Sequence, residues 1–222
     1  MTPSGEGAPL AEDEARRVWG LDSRARKEYF FAAVAATGVV WAWDESTVFQ
    51  LDDDVTQVPL WPHRRLAELS AEAMEWAEPP VAIAVDDLLD EYFERYDLEN
   101  HEIAVLPTDG AFTPFLSLER FRVEVFEARL LLRAEGRPDS YRRAEREAFH
   151  EDCRRRADAR LGLDPAARRD LAAHLRAHLA ECDDRLPLTG QWAASRDLPW
   201  RRLARALNVL SVTCDCAARE YF

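Results

Sequence analysis

Apolar positions change period twice along this chain. From Leu10 to about Trp19 they allow a short helix. Asp22 or Ser23 is placed to cap a better one, in which Tyr29, Phe30, Ala33, Val34 and Thr37 recur at helical spacing until Gly38. After Gly38 the period drops to two. The runs Val39–Trp43, Thr47–Leu51 and Val55–Trp61 are β-branched and aromatic, parted by Asp44-Glu45-Ser46 and Asp52-Asp53-Asp54, which predicts a three-strand antiparallel meander. Pro62 then opens a helix through Arg65, Leu66, Leu69 and Ala73, stopped by Glu78-Pro79-Pro80. Val81–Ala84 is a short strand. Asp86 caps a helix carrying Leu88, Leu89, Tyr92 and Phe93, and Glu102–Pro107 is a further strand ended by the turn Thr108-Asp109-Gly110.

This order predicts an α+β module over residues 21–115, a small antiparallel or mixed sheet with helices on one face, behind a frayed terminus and short helix at 1–20. Several of its segments carry a family likeness: Tyr29-Phe30-Phe31, Val40-Trp41-Ala42-Trp43, Val58-Pro59-Leu60-Trp61-Pro62, Trp76 ahead of Pro79-Pro80, Ile83 before Asp86-Asp87-Leu88-Leu89, and Ile103–Pro107. In these, residues from about 26 to 110 resemble a bacterial domain-of-unknown-function family, number 2750. The resemblance implies an architecture and a bacterial origin. It brings no activity and assigns no catalytic residue.

Beyond about residue 115 the pattern is helical throughout, giving an expected all-helical domain over 116–222. One helix runs from about Leu118 to Ala134, a second from Ser140 to Leu161, and a third from the Asp164-Pro165 cap to about Cys182 with Leu171, Leu175 and Leu179 on one face. A fourth follows Asp197-Leu198-Pro199 and carries Leu203, Leu207, Leu210 and Val212. Short connections predict a three- or four-helix bundle.

Composition adds compartment and charge. The chain has 222 residues, 47% hydrophobic and 32% charged, which is a folding rather than a disordered composition. It lacks a run of roughly 20 apolar residues and a signal-peptide order, so the expected compartment is the cytosol, with Cys153, Cys182, Cys214 and Cys216 as reduced thiols. Lys27 is the single lysine, a bias that fits a GC-rich bacterial genome. The net charge of −13 is unevenly placed, −16 over residues 1–116 and +3 over 117–222. Such an acidic half disfavours nucleic-acid binding and steers a basic partner towards itself.

Candidate chemistry is sparse. His150 and Cys153, with His174, His178 and Cys182, are spaced to share helix faces and offer the donors zinc prefers, though they match no zinc signature and a polar helix face describes them better. Cys214 and Cys216 fit a soft metal or a redox pair. Two apart on a helix, however, they point in different directions and cannot both face one ion, which favours small buried side chains. Asp52, Asp53 and Asp54, and Asp86 and Asp87 with Asp90 and Glu91, carry oxygen donors for Mg²⁺ or Ca²⁺ but fit a hairpin turn and a first helical turn better. Trp41 and Trp43 lie on one sheet face, available to a ligand or to a covering helix. The chain has no Gly-x-Ser-x-Gly elbow and no glycine-rich phosphate loop.

Together these features point away from an enzyme and towards an acidic module that docks a protein partner, of immunity or regulatory type. Asp52, Asp53, Asp54, Asp86, Asp87, Trp41 and Trp43 are its candidate contacts. No cofactor is called for. The alternative is a metal-dependent enzyme built on the Cys/His set, with zinc as its metal, and a homodimer is compatible with either.

Overall fold

The computed structural model describes residues 10–43, 49–52, 55–75, 79–92, 101–108, 114–179, 185–210 and 212–222. The chain forms two compact units, residues 1–137 and 138–222.

The first unit opens with α1 (Glu12–Trp19) and α2 (Ser23–Thr37). Local chemistry sets the ends of α2: the Asp22 carboxylate accepts from the Ala25 amide at 2.8 Å, and Gly38, at φ 71°, closes the last turn through its N–H to Val34. The strands are β1 (Val39–Ala42), β2 (Phe49–Asp52), β3 (Val55–Leu60), β4 (Val81–Ala84), β5 (His101–Val105) and β6 (Phe115–Leu116). Between them lie α3 (Arg64–Ala73) and α4 (Val85–Asp87), which runs on into a π-helical turn at Leu88–Tyr92. α5 (Leu118–Arg133) closes the unit, with the Ser117 hydroxyl accepting from Arg120 N.

The predicted meander does not form. β2 and β3 make an antiparallel hairpin, but β1 pairs instead with β4, from Val39 opposite Ala84 to Ala42 opposite Val81. β1 meets β3 only at its end, through the mutual backbone hydrogen bonds of Trp41 and Trp61. β3 lies parallel to β5, Val58 opposite Ile103, giving a four-stranded order β2-β3-β5-β6. Alternation fixes which face a strand buries but not its neighbour, and the β3–β5 partnership crosses more than forty residues.

The helix at Leu118 packs within this first unit. Phe121 rests against Phe30 and Phe31 of α2 at centroid distances of 6.0 and 5.4 Å, and Leu118, Phe121 and Val125 are buried in the same core as Val40, Leu60, Trp61 and Val105. The break between units therefore falls near Arg137 and not near residue 115. A sheet this small is completed by the apolar stripe of α5.

Among the described residues the second unit has helices and no strand: α6 (Asp139–Arg160), α7 (Pro165–His178), α8 (Pro187–Ala194), α9 (Trp200–Val209) and α10 (Asp215–Tyr221). Leu171, Leu175, Trp192, Leu203, Leu207 and Val212 form its core. Asp164 caps α7 by accepting from Ala166 N and Ala167 N. α8, absent from the sequence expectation, is short and carries Pro187 in its first turn and Gly190 within it, whose Cα sits beside the Trp200 ring. The expected last helix is broken beyond Leu210 and resumes as α10. The frayed terminus expected before Leu10 lies outside the described residues.

Candidate functional site

The carboxyl ends of the parallel pair β3 and β5 gather the most distinctive polar groups of the first unit. Leu106 follows β5 at φ 47°, a left-handed conformation that costs a non-glycine residue about 1–2 kcal/mol. Three contacts hold it. Its N–H donates to Leu60 O at 2.9 Å, its carbonyl accepts from Arg26 Nη1 at 3.0 Å, and Trp61 Nε1 donates to the next carbonyl, that of Pro107, at 3.1 Å. Arg26 Nη1 also reaches Thr108 Oγ1 at 2.6 Å. Arg26 is fully buried, and burial lowers its pKa from the usual arginine value. This guanidinium fastens a loop inside the unit.

Beside it, α1, α2 and the start of α3 bring together Glu14, Arg17, Tyr29 and His63. The Tyr29 and His63 rings stand 5.9 Å apart. Glu14 accepts from Arg17 at 2.6 and 2.8 Å, and that hydrogen bonding lowers the Glu14 pKa. Burial pulls the His63 pKa below 6.5 while the Glu14 charge opposes it, and burial raises that of Tyr29. No sequence motif links these four, because they come from three separate elements.

The partner-binding candidates separate by burial. Trp43 is buried, stacked on Trp61 at 5.3 Å, and donates through Nε1 to Ala67 O of α3, so its ring is spent on packing. Trp41 is half-buried, with the Arg64 guanidinium 5.9 Å over its ring. Asp86 and Asp87 are exposed in the first turn of α4, and Asp86 pairs with Arg129 of α5 at 2.6 Å. Asp52 ends β2, while Asp53 and Asp54 lie outside the described residues.

The metal candidates sit on two helices, His150 and Cys153 on α6 and His174 and His178 on α7; Cys182 lies outside the described residues. The α7 histidines face one another at 4.4 Å between ring centroids. His178 Nδ1 lies 2.8 Å from the His174 carbonyl, and since a carbonyl only accepts, Nδ1 is the donor in that contact. Among the described residues no three His, Cys, Asp or Glu side chains are grouped to hold a metal ion.

Near the end of the chain Asp215 is buried and accepts from Leu188 N, Thr189 N and Thr189 Oγ1 at 2.8, 2.9 and 2.5 Å, capping α8 from a distance. Its neighbours Cys214 and Cys216 bring their sulfurs to 2.7 Å. Cys214 has extended backbone, φ −142° and ψ 162°, ahead of α10, so the two side chains do not diverge as they would inside a helix.

No curated protein and no solved structure matches the chain. One family model does, over residues 27–124, a span that includes Trp43, Trp61, Leu106 and Phe121. The N-terminal half of this chain is thus similar to the family described as Protein of unknown function (DUF2750).

Proposed function

We propose that this chain is an interaction protein whose acidic first unit docks a basic protein partner, in the manner of an immunity-type or regulatory protein. The supporting observation is the segregation of charge between the units: residues 1–137 carry a net charge of −15 and residues 138–222 a net charge of +2. A field of that sign raises the encounter rate with cationic surfaces and repels phosphate backbones. Exposed Asp86 and Asp87, together with half-buried Trp41 as an aromatic anchor, are the contacts this proposal uses. Trp43 is withdrawn from that set because its ring packs against Trp61. Among the described residues no helix is long and apolar enough to cross a membrane.

The test is affinity capture from the native host at low and at high ionic strength, followed by titration of the captured protein against the purified chain. A basic partner whose affinity falls with salt, and falls again in the Asp86→Asn, Asp87→Asn double variant, supports the assignment. Failure to recover any reproducible partner at low salt, or recovery of an acidic one, overturns it.

A further inference from the structure

We propose that Cys214 and Cys216 form a redox-active dithiol that exchanges with disulfide-bearing substrates and closes to a Cys214–Cys216 disulfide. The sulfurs stand 2.7 Å apart, closer than two non-bonded sulfurs ordinarily approach. Both are reduced thiols, and among the described residues no group of three His, Cys, Asp or Glu side chains is placed to hold a metal ion.

The surroundings hold this turn in place. Asp215 sits between the cysteines with its carboxylate on Leu188 and Thr189 and its N–H on the Arg185 carbonyl at 2.8 Å. The backbone carrying both sulfurs is therefore anchored on its inner side. Cys214 is 8% exposed, whereas Cys216 is half-buried and more open. This asymmetry assigns the roles. Cys216, as thiolate, attacks one sulfur of the substrate disulfide; that S–S bond breaks, the first substrate thiol leaves, and a mixed disulfide forms on Cys216. Cys214 then attacks the Cys216 sulfur and expels the second substrate thiol. One substrate disulfide is reduced to two thiols, the dithiol is oxidised to a disulfide, and the two thiol protons of the protein end on the products. The Ala217 N–H, 3.5 Å from Cys214 Sγ, supplies a hydrogen bond that the attacking thiolate accepts more strongly than the thiol. A disulfide closed across one residue is a strained ring, and strained disulfides are the readily reduced, exchange-competent ones.

The test uses the full chain, reduced, equilibrated with glutathione and glutathione disulfide at graded ratios, acid-quenched, alkylated and mapped by peptide mass spectrometry. The expected result is a peptide lighter by two hydrogens carrying linked Cys214 and Cys216, increasing with the disulfide fraction and lost on returning to excess reduced glutathione. Cys214→Ser is expected to accumulate a stable glutathione adduct on Cys216. Cys216→Ser is expected to acquire its adduct on Cys214 at least tenfold more slowly. Far-ultraviolet circular dichroism identifies any variant that has lost its fold, and the wild-type linkage then decides alone. Alkylation of both cysteines at every ratio, or linkage of either to Cys153 or Cys182 instead, overturns the proposal.

Discussion

Trp61 Nε1 donates to the carbonyl of Pro107, 46 positions on, at 3.1 Å, joining the ends of two parallel strands. The same indole stacks on Trp43, whose own Nε1 is bonded to α3. Trp61→Phe keeps most of the apolar area but deletes the donor and leaves a buried carbonyl unpaired. A loss of roughly 1–3 kcal/mol is expected, read as a lower urea midpoint with an unchanged slope.

Arg26 holds the adjoining carbonyl. Arg26→Met removes the donor to both Leu106 O and Thr108 Oγ1 while preserving the aliphatic volume. The cost is again roughly 1–3 kcal/mol, chiefly for the buried Leu106 carbonyl left unpaired. Charge alone gives the opposite expectation, since methionine avoids burying a guanidinium. A variant more stable than the parent would show that desolvation outweighs the two hydrogen bonds.

Leu106 sets backbone strain against burial. Leu106→Gly relieves about 1–2 kcal/mol at φ 47° but forfeits a fully buried side chain worth roughly 2–5 kcal/mol. Burial wins on these magnitudes, so the glycine variant is expected to melt lower than the parent. A higher melting temperature would mean that the strain term is larger than assigned.

His63 gives a pH dependence of definite sign. Burial depresses its pKa in the folded chain below 6.5, so between that folded value and 6.5 the unfolded chain binds more protons than the folded one. Its contribution to stability is complete above pH 6.5 and is lost as pH falls through the depressed value. His63→Gln is expected to flatten the decline in urea midpoint below pH 6.5. Glu14→Gln, which removes the opposing charge, is expected to move the His63 titration lower still, as read from its ring-proton shifts in NMR.

The local parts of this fold were legible in the sequence and the non-local ones were not. The caps at Asp22 and Asp164 and the closing Gly38 act within a turn, so composition and spacing suffice to place them. The pairing of β1 with β4 depends on which edges meet after collapse, and period-two alternation is silent on that. The cluster of Glu14, Arg17, Tyr29 and His63 leaves no spacing signal because it is assembled from three elements. The cysteine pair was hidden for a different reason. A helix through both residues separates them, but Cys214 precedes α10 in extended backbone, and that single residue's conformation reverses the geometry.

The boundary between the units yields the last prediction. Charge sign and period change near residue 115 in the sequence, yet the family match runs on to residue 124, and Phe121 and Val125 are buried among Phe30, Phe31 and Val105. Removing α5 exposes these partners and takes several large apolar side chains from a small core, each worth roughly 1.5–3 kcal/mol when fully buried. That sum is comparable to the whole net stability of a domain of this size. A fragment ending at residue 116 is therefore expected to lack a cooperative urea transition. One ending at Arg137 is expected to unfold cooperatively, with the tryptophan emission of buried Trp43 and Trp61 shifting red through a single transition. Cooperative unfolding of the shorter fragment would show that the sheet and α2 complete a core without α5 and would return the boundary to residue 115.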